Sequence, residues 1–143
     1  MHQVAQEDVL RALKKFKRLA KQDLLASQLM ADPEFWEQQA IARRAVYEEL
    51  MLKVENEGVE PAYREAKMRY LALPLLASDD HTNPKLHGEE QALEMFFTIL
   101  GVSSAELDEW RALRAAGGAD GAAQNAGSIN VSGEELAMGA GGA

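Results

Sequence analysis

The sequence predicts an all-α protein: a small helical bundle of about five helices that begins with a long antiparallel helical hairpin. Three observations predict this fold. Apolar residues recur at intervals of three and four along most of the first 116 positions. Capping residues, prolines and glycines separate these stretches where helices are expected to begin and end. No apolar/polar alternation persists long enough to indicate a strand.

The first two predicted helices form the hairpin. The first is expected from about Gln6 to Met30, with an apolar stripe at Val9, Leu13, Phe16, Ala20 and Leu24. Asp32 as N-cap and Pro33 at the first helical position predict the start of the second helix, and Gly58 predicts its end. Its core face is expected to contain Trp36, Ala40, Tyr47, Leu50 and Val54, broadened by Ile41, Val46 and Met51. Each helix is then longer than about 30 Å, and the short turn between them favours antiparallel packing.

Three shorter helices are expected to follow. Pro61 predicts the start of the third, which Pro74 interrupts or ends. Asn83 followed by proline predicts the start of the fourth, and Gly101 its end. Ser103 and Glu106 have the spacing of a capping box at the start of the fifth. The expected contact residues are Tyr63, Met68, Tyr70 and Leu71 in the third, Leu86, Leu93, Phe96, Phe97 and Leu100 in the fourth, and Leu107, Trp110 and Leu113 in the fifth.

The composition changes after Ala116. Residues 117–143 contain eight Gly, seven Ala and three acidic residues, with no Lys or Arg. Such a segment buries too little apolar surface to offset the entropy lost on ordering. We therefore expect a helical domain over residues 1–116 and a flexible, low-complexity tail over residues 117–143.

Catalytic and metal-binding motifs are not evident in the sequence. The absence of cysteine excludes disulfides, thiolate nucleophiles and zinc–thiolate sites. His81 and His87 lie near acidic residues, but the spacing required for a bundle di-iron site or a His-Glu-x-x-His motif does not occur. We expect no catalytic, metal-binding or cofactor-binding residue and no enzymatic activity. An enzyme that uses metal or carboxylates is the last alternative.

Six basic residues and no acidic ones lie between Val9 and Gln22. At 100° per residue, four of them share one face of the first helix, opposite its apolar stripe. These are Arg11, Lys14, Arg18 and Lys21. The face is either a solvated surface balanced by nearby acids or a docking surface for an acidic protein or an RNA backbone. No aromatic side chains interleave with the basic ones, which weakens the RNA alternative, as does the net charge of −8.

Apolar residues indicate further surfaces for a partner. Leu25, Leu29, Met51 and Met68 are candidates for an exposed patch, so we expect self-association or a complex with another protein. In the tail, Ile129 and Val131 suit an added strand, whereas Leu136 and Met138 suit a short docking helix. The alternative is a tail without function.

No apolar run approaches the roughly 18–20 residues that a membrane helix needs. The N-terminal residues also lack the apolar core of a secretory signal. We therefore expect no membrane association and a cytoplasmic location.

The order of elements resembles the YlbF/YmcA family of small helical bacterial regulators. The resemblance lies in Asp32-Pro33-Glu34, Tyr47-Glu48-Glu49-Leu50, the turn from Gly58 to Tyr63, Asn83-Pro84, and Glu90-Gln91-Ala92-Leu93, within about residues 24–100. It implies a helical adaptor that assembles with partners and influences RNA processing and developmental regulation. Some members carry cysteines linked to an iron–sulfur cluster, a property that this cysteine-free chain lacks.

The sequence therefore favours a non-catalytic helical adaptor or regulator, oligomeric and acting through protein–protein interaction. One alternative is a structural or assembly protein, such as a phage or particle component whose tail orders against neighbouring subunits. Another is a small RNA-binding subunit of a ribonucleoprotein.

Overall fold

The predicted all-α fold is confirmed. A computed structural model describes residues 4–76 and 81–127, with side chains described up to residue 115. The helices are α1 (Gln6–Ala26), α2 (Pro33–Glu57), α3 (Val59–Leu71), α4 (Pro84–Ile99) and α5 (Ser104–Gly127), and a 3₁₀ turn (Ser27–Leu29) follows α1. These described ranges contain no strand.

Helices α1 and α2 form the predicted antiparallel hairpin. Phe16 packs on Tyr47 with ring centroids 6.3 Å apart. Further along α1, Asp23 binds Arg43, which lies earlier in α2. Because the later residue of α1 contacts the earlier residue of α2, the two helices run antiparallel. Helix α1 ends at Ala26, earlier than the predicted Met30, and both the amide and the hydroxyl of the buried Ser27 donate to the Leu24 carbonyl.

Helix α2 also contacts α3 and α4. Lys53 of α2 binds Glu65 of α3, and Glu49 of α2 binds Arg69 further along α3, so this pair is antiparallel as well. Helix α4 crosses α2 closely at Gly88. A Cβ at this position would lie 2.4 Å from the Gln39 carbonyl oxygen and 2.8 Å from the Ala42 Cβ. The absence of a side chain at Gly88 therefore sets how closely α2 and α4 approach.

Most of the predicted helix boundaries are confirmed by local hydrogen bonds. Asn83 accepts a hydrogen bond from the Leu86 amide at the start of α4. At the start of α5, the Glu106 amide donates to the Ser103 hydroxyl and the Ser103 amide donates to the Glu106 carboxylate, both at 3.2 Å, which is the predicted capping box. Gly101 has a φ of 87° beyond the end of α4. The amides of Gly101 and Val102 bond back to the carbonyls of Thr98 and Phe97, as in a Schellman motif.

Asp32 departs from the predicted role. It occupies the N-cap position of α2, but its side chain makes no capping hydrogen bond. Its backbone is left-handed, with a φ of 61°, and its carboxylate contacts His81 instead. The prediction of a side-chain cap at Asp32 was wrong because the carboxylate binds a residue distant in sequence.

The core lies largely on the predicted helix faces. Val9 and Leu13 of α1, Val54 of α2 and Phe96 of α4 are fully buried. Four assignments need correction. In α2, Phe35 is buried where Trp36 was expected, and Trp36 is half-buried. The side chains of Ile41, Met68 and Leu113 are 44%, 73% and 59% exposed. Periodicity identifies a helix face, but it does not show which flanking apolar positions a neighbouring helix covers.

The chain divides into two compact units at Leu107 and Asp108, within α5. The first unit contains α1 to α4, and the second begins in the first part of α5. The α5 backbone is helical to Gly127, beyond the expected boundary at Ala116. Residues 117–127 contain four Ala and four Gly, so helix propensity by itself does not account for this continuation. Residues 128–143 of the predicted tail lie outside the described residues.

Candidate partner-binding surfaces

The basic residues of α1 form one exposed face. Arg11, Lys14, Arg18 and Lys21, the positions predicted from helical spacing, are all exposed, and Lys15 beside them is exposed too. The opposite face of the helix buries Val9, Leu13 and Ala20. A depression of about 400 Å³ lies along this face, lined by Asp8, Arg11, Ala12, Lys14, Lys15 and Arg18.

Most of these cations have no acidic neighbour within the described residues. Arg11 pairs with Asp8 at 2.8 Å, and both side chains are largely exposed. Lys17, on the flank facing α2, pairs with Glu48 at 3.1 Å. No carboxylate of the described chain lies within 4.0 Å of the charged groups of Lys14, Lys15, Arg18 or Lys21. We call these four residues together with Arg11 the basic face.

The basic face continues into exposed apolar residues. Leu25 lies four residues after Lys21 and seven after Arg18, so it shares their side of α1. Its side chain is 73% exposed, and that of Leu29 in the following turn is 89% exposed. Met68, also predicted to face a partner, is 73% exposed on α3, whereas Met51 is half-buried. A row of cations thus leads to two leucines that the described residues leave uncovered.

A cleft of about 200 Å³ is lined by residues of α1, α2 and α4 and of the α1–α2 turn. Its lining includes Ala26, Met30 and Trp36 together with a chain of polar side chains. Asp23 accepts a hydrogen bond from Arg43 at 2.8 Å, Arg43 donates to Gln39 at 2.9 Å, and Gln39 donates to Gln91. These hydrogen bonds connect α1, α2 and α4. Because the polar groups bond mainly to one another, the cleft offers few of them to a ligand.

His81 and His87 surround Phe35. The His81 ring stacks on Phe35 with centroids 4.0 Å apart and planes 9° apart, and its Nδ1 lies 2.8 Å from an Asp32 carboxylate oxygen. The His87 ring meets Phe35 edge-on at 5.6 Å, and its Nε2 is buried without a hydrogen-bond partner. No group of three His, Cys, Asp or Glu side chains in the described ranges is arranged to hold a metal ion. The cluster attaches the segment before α4 to the start of α2.

Salt bridges connect α3 to its neighbours. Arg69 donates to Glu49 of α2 at 2.8 Å and to Glu89 of α4 at 3.0 Å. Burial opposes the charged form of Arg69, but its hydrogen bonds to these two carboxylates and their negative charge outweigh burial and raise its pKa. The hydrogen bonds of Lys53 with Glu57 and Glu65 likewise raise the pKa of its ammonium group. These cations hold helices together, in contrast to those of the basic face.

Two tyrosines have altered acidity for structural reasons. Burial raises the pKa of Tyr47, and the nearby Arg43 opposes this shift. Burial also raises the pKa of Tyr63, with smaller effects from Glu106 and Glu60. Neither phenol lies on the basic face.

The tail residues predicted to bind a partner cannot be compared with the structure. Ile129, Val131, Leu136 and Met138 lie outside the described residues. Helical spacing predicted the shared face of the basic residues, whereas Leu25 and Leu29 were expected in a separate apolar patch and not beside that face. Sequence reasoning missed the cleft and the Asp32–His81 contact, since both depend on residues brought together from distant parts of the chain.

Comparison with known proteins finds no matching family model, no significantly similar curated protein and no significantly similar solved structure. Within the part of the chain that the structure describes, no helix is both long and apolar enough to span a bilayer.

Proposed function

We propose that the chain is a non-catalytic helical adaptor that binds an acidic protein partner through the basic face of α1. The observation that carries this proposal is the set of exposed cations without acidic neighbours in the described structure, continuous with Leu25 and Leu29. A central apolar contact beside complementary charges is a common composition for protein interfaces. The resemblance to the YlbF/YmcA family, whose members look like helical adaptors, points in the same direction.

The charge distribution supports a partner-binding role for this face. The chain has 23 acidic and 15 basic residues, for a net charge of −8. Five of the 15 basic residues nevertheless lie together on the basic face. Like charges gathered on one helix face repel one another, so they contribute nothing favourable to folding. An acidic partner would turn that repulsion into attraction and would also speed the encounter.

An acidic protein fits this face better than RNA does. Stacking on aromatic side chains contributes much of the binding of single-stranded nucleic acid, and the basic face contains no aromatic residue. The leucines at its C-terminal end suit the apolar side chains of a protein. RNA binding is a separate outcome of the experiment below.

The test is a charge reversal on the full-length protein. We expect the substitution of Arg11, Lys14, Arg18 and Lys21 by Glu to leave the melting temperature nearly unchanged, because exposed charges contribute little to stability. Affinity capture from the source cell, with and without nuclease, identifies bound proteins, and calorimetry with the purified partner measures the dissociation constant. We expect binding to weaken by at least about tenfold.

A matched control reverses four cations elsewhere on the chain, at Arg64, Lys67, Lys85 and Arg111. This control changes the net charge equally and leaves the basic face intact, so its affinity should resemble that of the wild type. If both variants weakened binding equally, net charge alone would explain the loss of affinity, and the basic face would be rejected as the binding site. Nuclease-sensitive capture would instead assign the face to RNA.

A further inference from the structure

The acidic and apolar segment at residues 134–138 matches the basic face and the two leucines beside it. The segment reads Glu-Glu-Leu-Ala-Met, with two carboxylates followed by two large apolar side chains. The surface of α1 presents cations followed by Leu25 and Leu29. We propose that residues 134–138 of one copy dock on the basic face and leucines of a second copy. This inference deepens the proposed function and rests on the same face, because it identifies the partner as the chain itself.

The complementarity holds in charge. The 16 residues after Gly127 contain Glu134 and Glu135 and no basic residue. The basic face has four cations without a carboxylate within 4.0 Å in the described structure. A segment with two adjacent acids can therefore pair with Arg18 and Lys21 without displacing an existing salt bridge.

The complementarity also holds in spacing. Leu25 follows Lys21 by four helical residues, which places them about 6 Å apart along the axis of α1. In an extended chain, Glu134, Leu136 and Met138 point to the same side and follow one another at about 7 Å. With Glu134 beside Lys21, such a chain can place Leu136 against Leu25 and Met138 towards Leu29.

Docking between copies places no requirement on how the two compact units of one chain are arranged. Each copy offers one face and one segment, so association between copies can use both on every molecule. Such a head-to-tail contact forms a ring if it closes and an open chain if it does not.

The experiment uses the full-length protein and measures molar mass by light scattering between about 5 and 500 µM, a range that covers modest affinities. We expect mass to rise with concentration at about 50 mM salt and to fall by about 500 mM, because salt screens exposed charges. Face variant Arg18→Glu/Lys21→Glu and tail variant Glu134→Lys/Glu135→Lys should each remain monomeric. An equimolar mixture of the two should associate again, since each variant carries the surface that complements the other.

Apolar substitutions test the leucine contact with a matched control. Leu25→Ser should weaken self-association by about tenfold, in line with the loss of a buried aliphatic side chain from an interface. Leu52→Ser removes an exposed leucine side chain from α2, away from the basic face, and should leave self-association unchanged. Circular dichroism and the melting temperature verify that every variant is folded.

Three results would overturn the inference: a wild-type chain that is monomeric throughout this range, association that survives both charge reversals, or a mixture that fails to restore it. If the segment docks within its own chain, the wild-type protein stays monomeric, which is the first of these three results. The proposed function fails separately. A monomeric chain that still binds an acidic protein through the basic face refutes the second copy as partner and leaves the adaptor role intact.

Discussion

Gly88 determines the distance between α2 and α4. Its position faces the Gln39 carbonyl oxygen and the Ala42 side chain so closely that a methyl group has no room. Two effects of a Gly88→Ala substitution oppose each other. Alanine favours the helical backbone by about 1 kcal/mol, whereas overpacking of a well-filled contact costs typically 1–3 kcal/mol. At 2.4 Å from a backbone atom that cannot rotate away, we expect the steric cost to exceed the gain.

We therefore predict that Gly88→Ala lowers the free energy of unfolding by up to about 2 kcal/mol. Urea denaturation of the variant and the wild type measures the difference. A variant more stable than the wild type would show that α2 and α4 do not meet at this position.

The neighbours Phe35 and Trp36 show how far a single residue can be predicted. Both are aromatic and lie about 100° apart on the helix, so periodicity admits either to the core. The structure buries Phe35 because His81 and His87 pack on its ring, and it leaves Trp36 at the edge of the cleft. Both histidines come from beyond the end of α3, so a local pattern cannot choose between the two rings.

At the scale of an element, local rules predicted helix boundaries where the capping groups are close in sequence. The contacts at Asn83, Ser103 and Gly101 span five residues or fewer, and all three match the prediction. Asp32 fails the same rule because its carboxylate binds His81, which lies 49 positions away. A capping residue is therefore predictable only when no distant group competes for its side chain.

The cap at Asn83 provides a test at this scale. Its side-chain oxygen accepts the Leu86 amide, which otherwise lacks a partner in the first turn of α4. We predict that Asn83→Ala lowers the free energy of unfolding by about 1 kcal/mol, whereas Asn83→Asp retains the acceptor and costs little. Chemical denaturation distinguishes the two variants. Equal losses in both would show that the side-chain amide is needed for something other than capping.

At the scale of the whole molecule, the hairpin was predictable and the placement of α3 and α4 was not. Two long amphipathic helices joined by a short turn can bury their apolar faces against each other in few ways. The remaining contacts depend on single side chains, such as Arg69 reaching both Glu49 and Glu89, or Gln39 meeting Gln91. Neither arrangement has a periodic signal. The basic face was predictable because exposure on a helix follows directly from spacing, but its partner is not encoded in that spacing.

An aromatic residue of the core and one at its edge should differ in their contribution to the stability of the whole molecule. Phe96 is fully buried, and its ring lies 6.2 Å from that of Phe97. Trp36 is half-buried beside the cleft. We predict that Phe96→Ala lowers the free energy of unfolding by about 3–5 kcal/mol, because it removes a large side chain and leaves a cavity among α4 and its neighbours. Trp36→Ala should cost clearly less, since solvent already reaches its ring and less surface is lost from the interior.

Thermal and urea denaturation measure both losses, and Leu52→Ala, at a side chain 59% exposed, serves as the control with little expected change. If Trp36→Ala lowered the free energy of unfolding as much as Phe96→Ala, Trp36 would belong to the core and not to its edge.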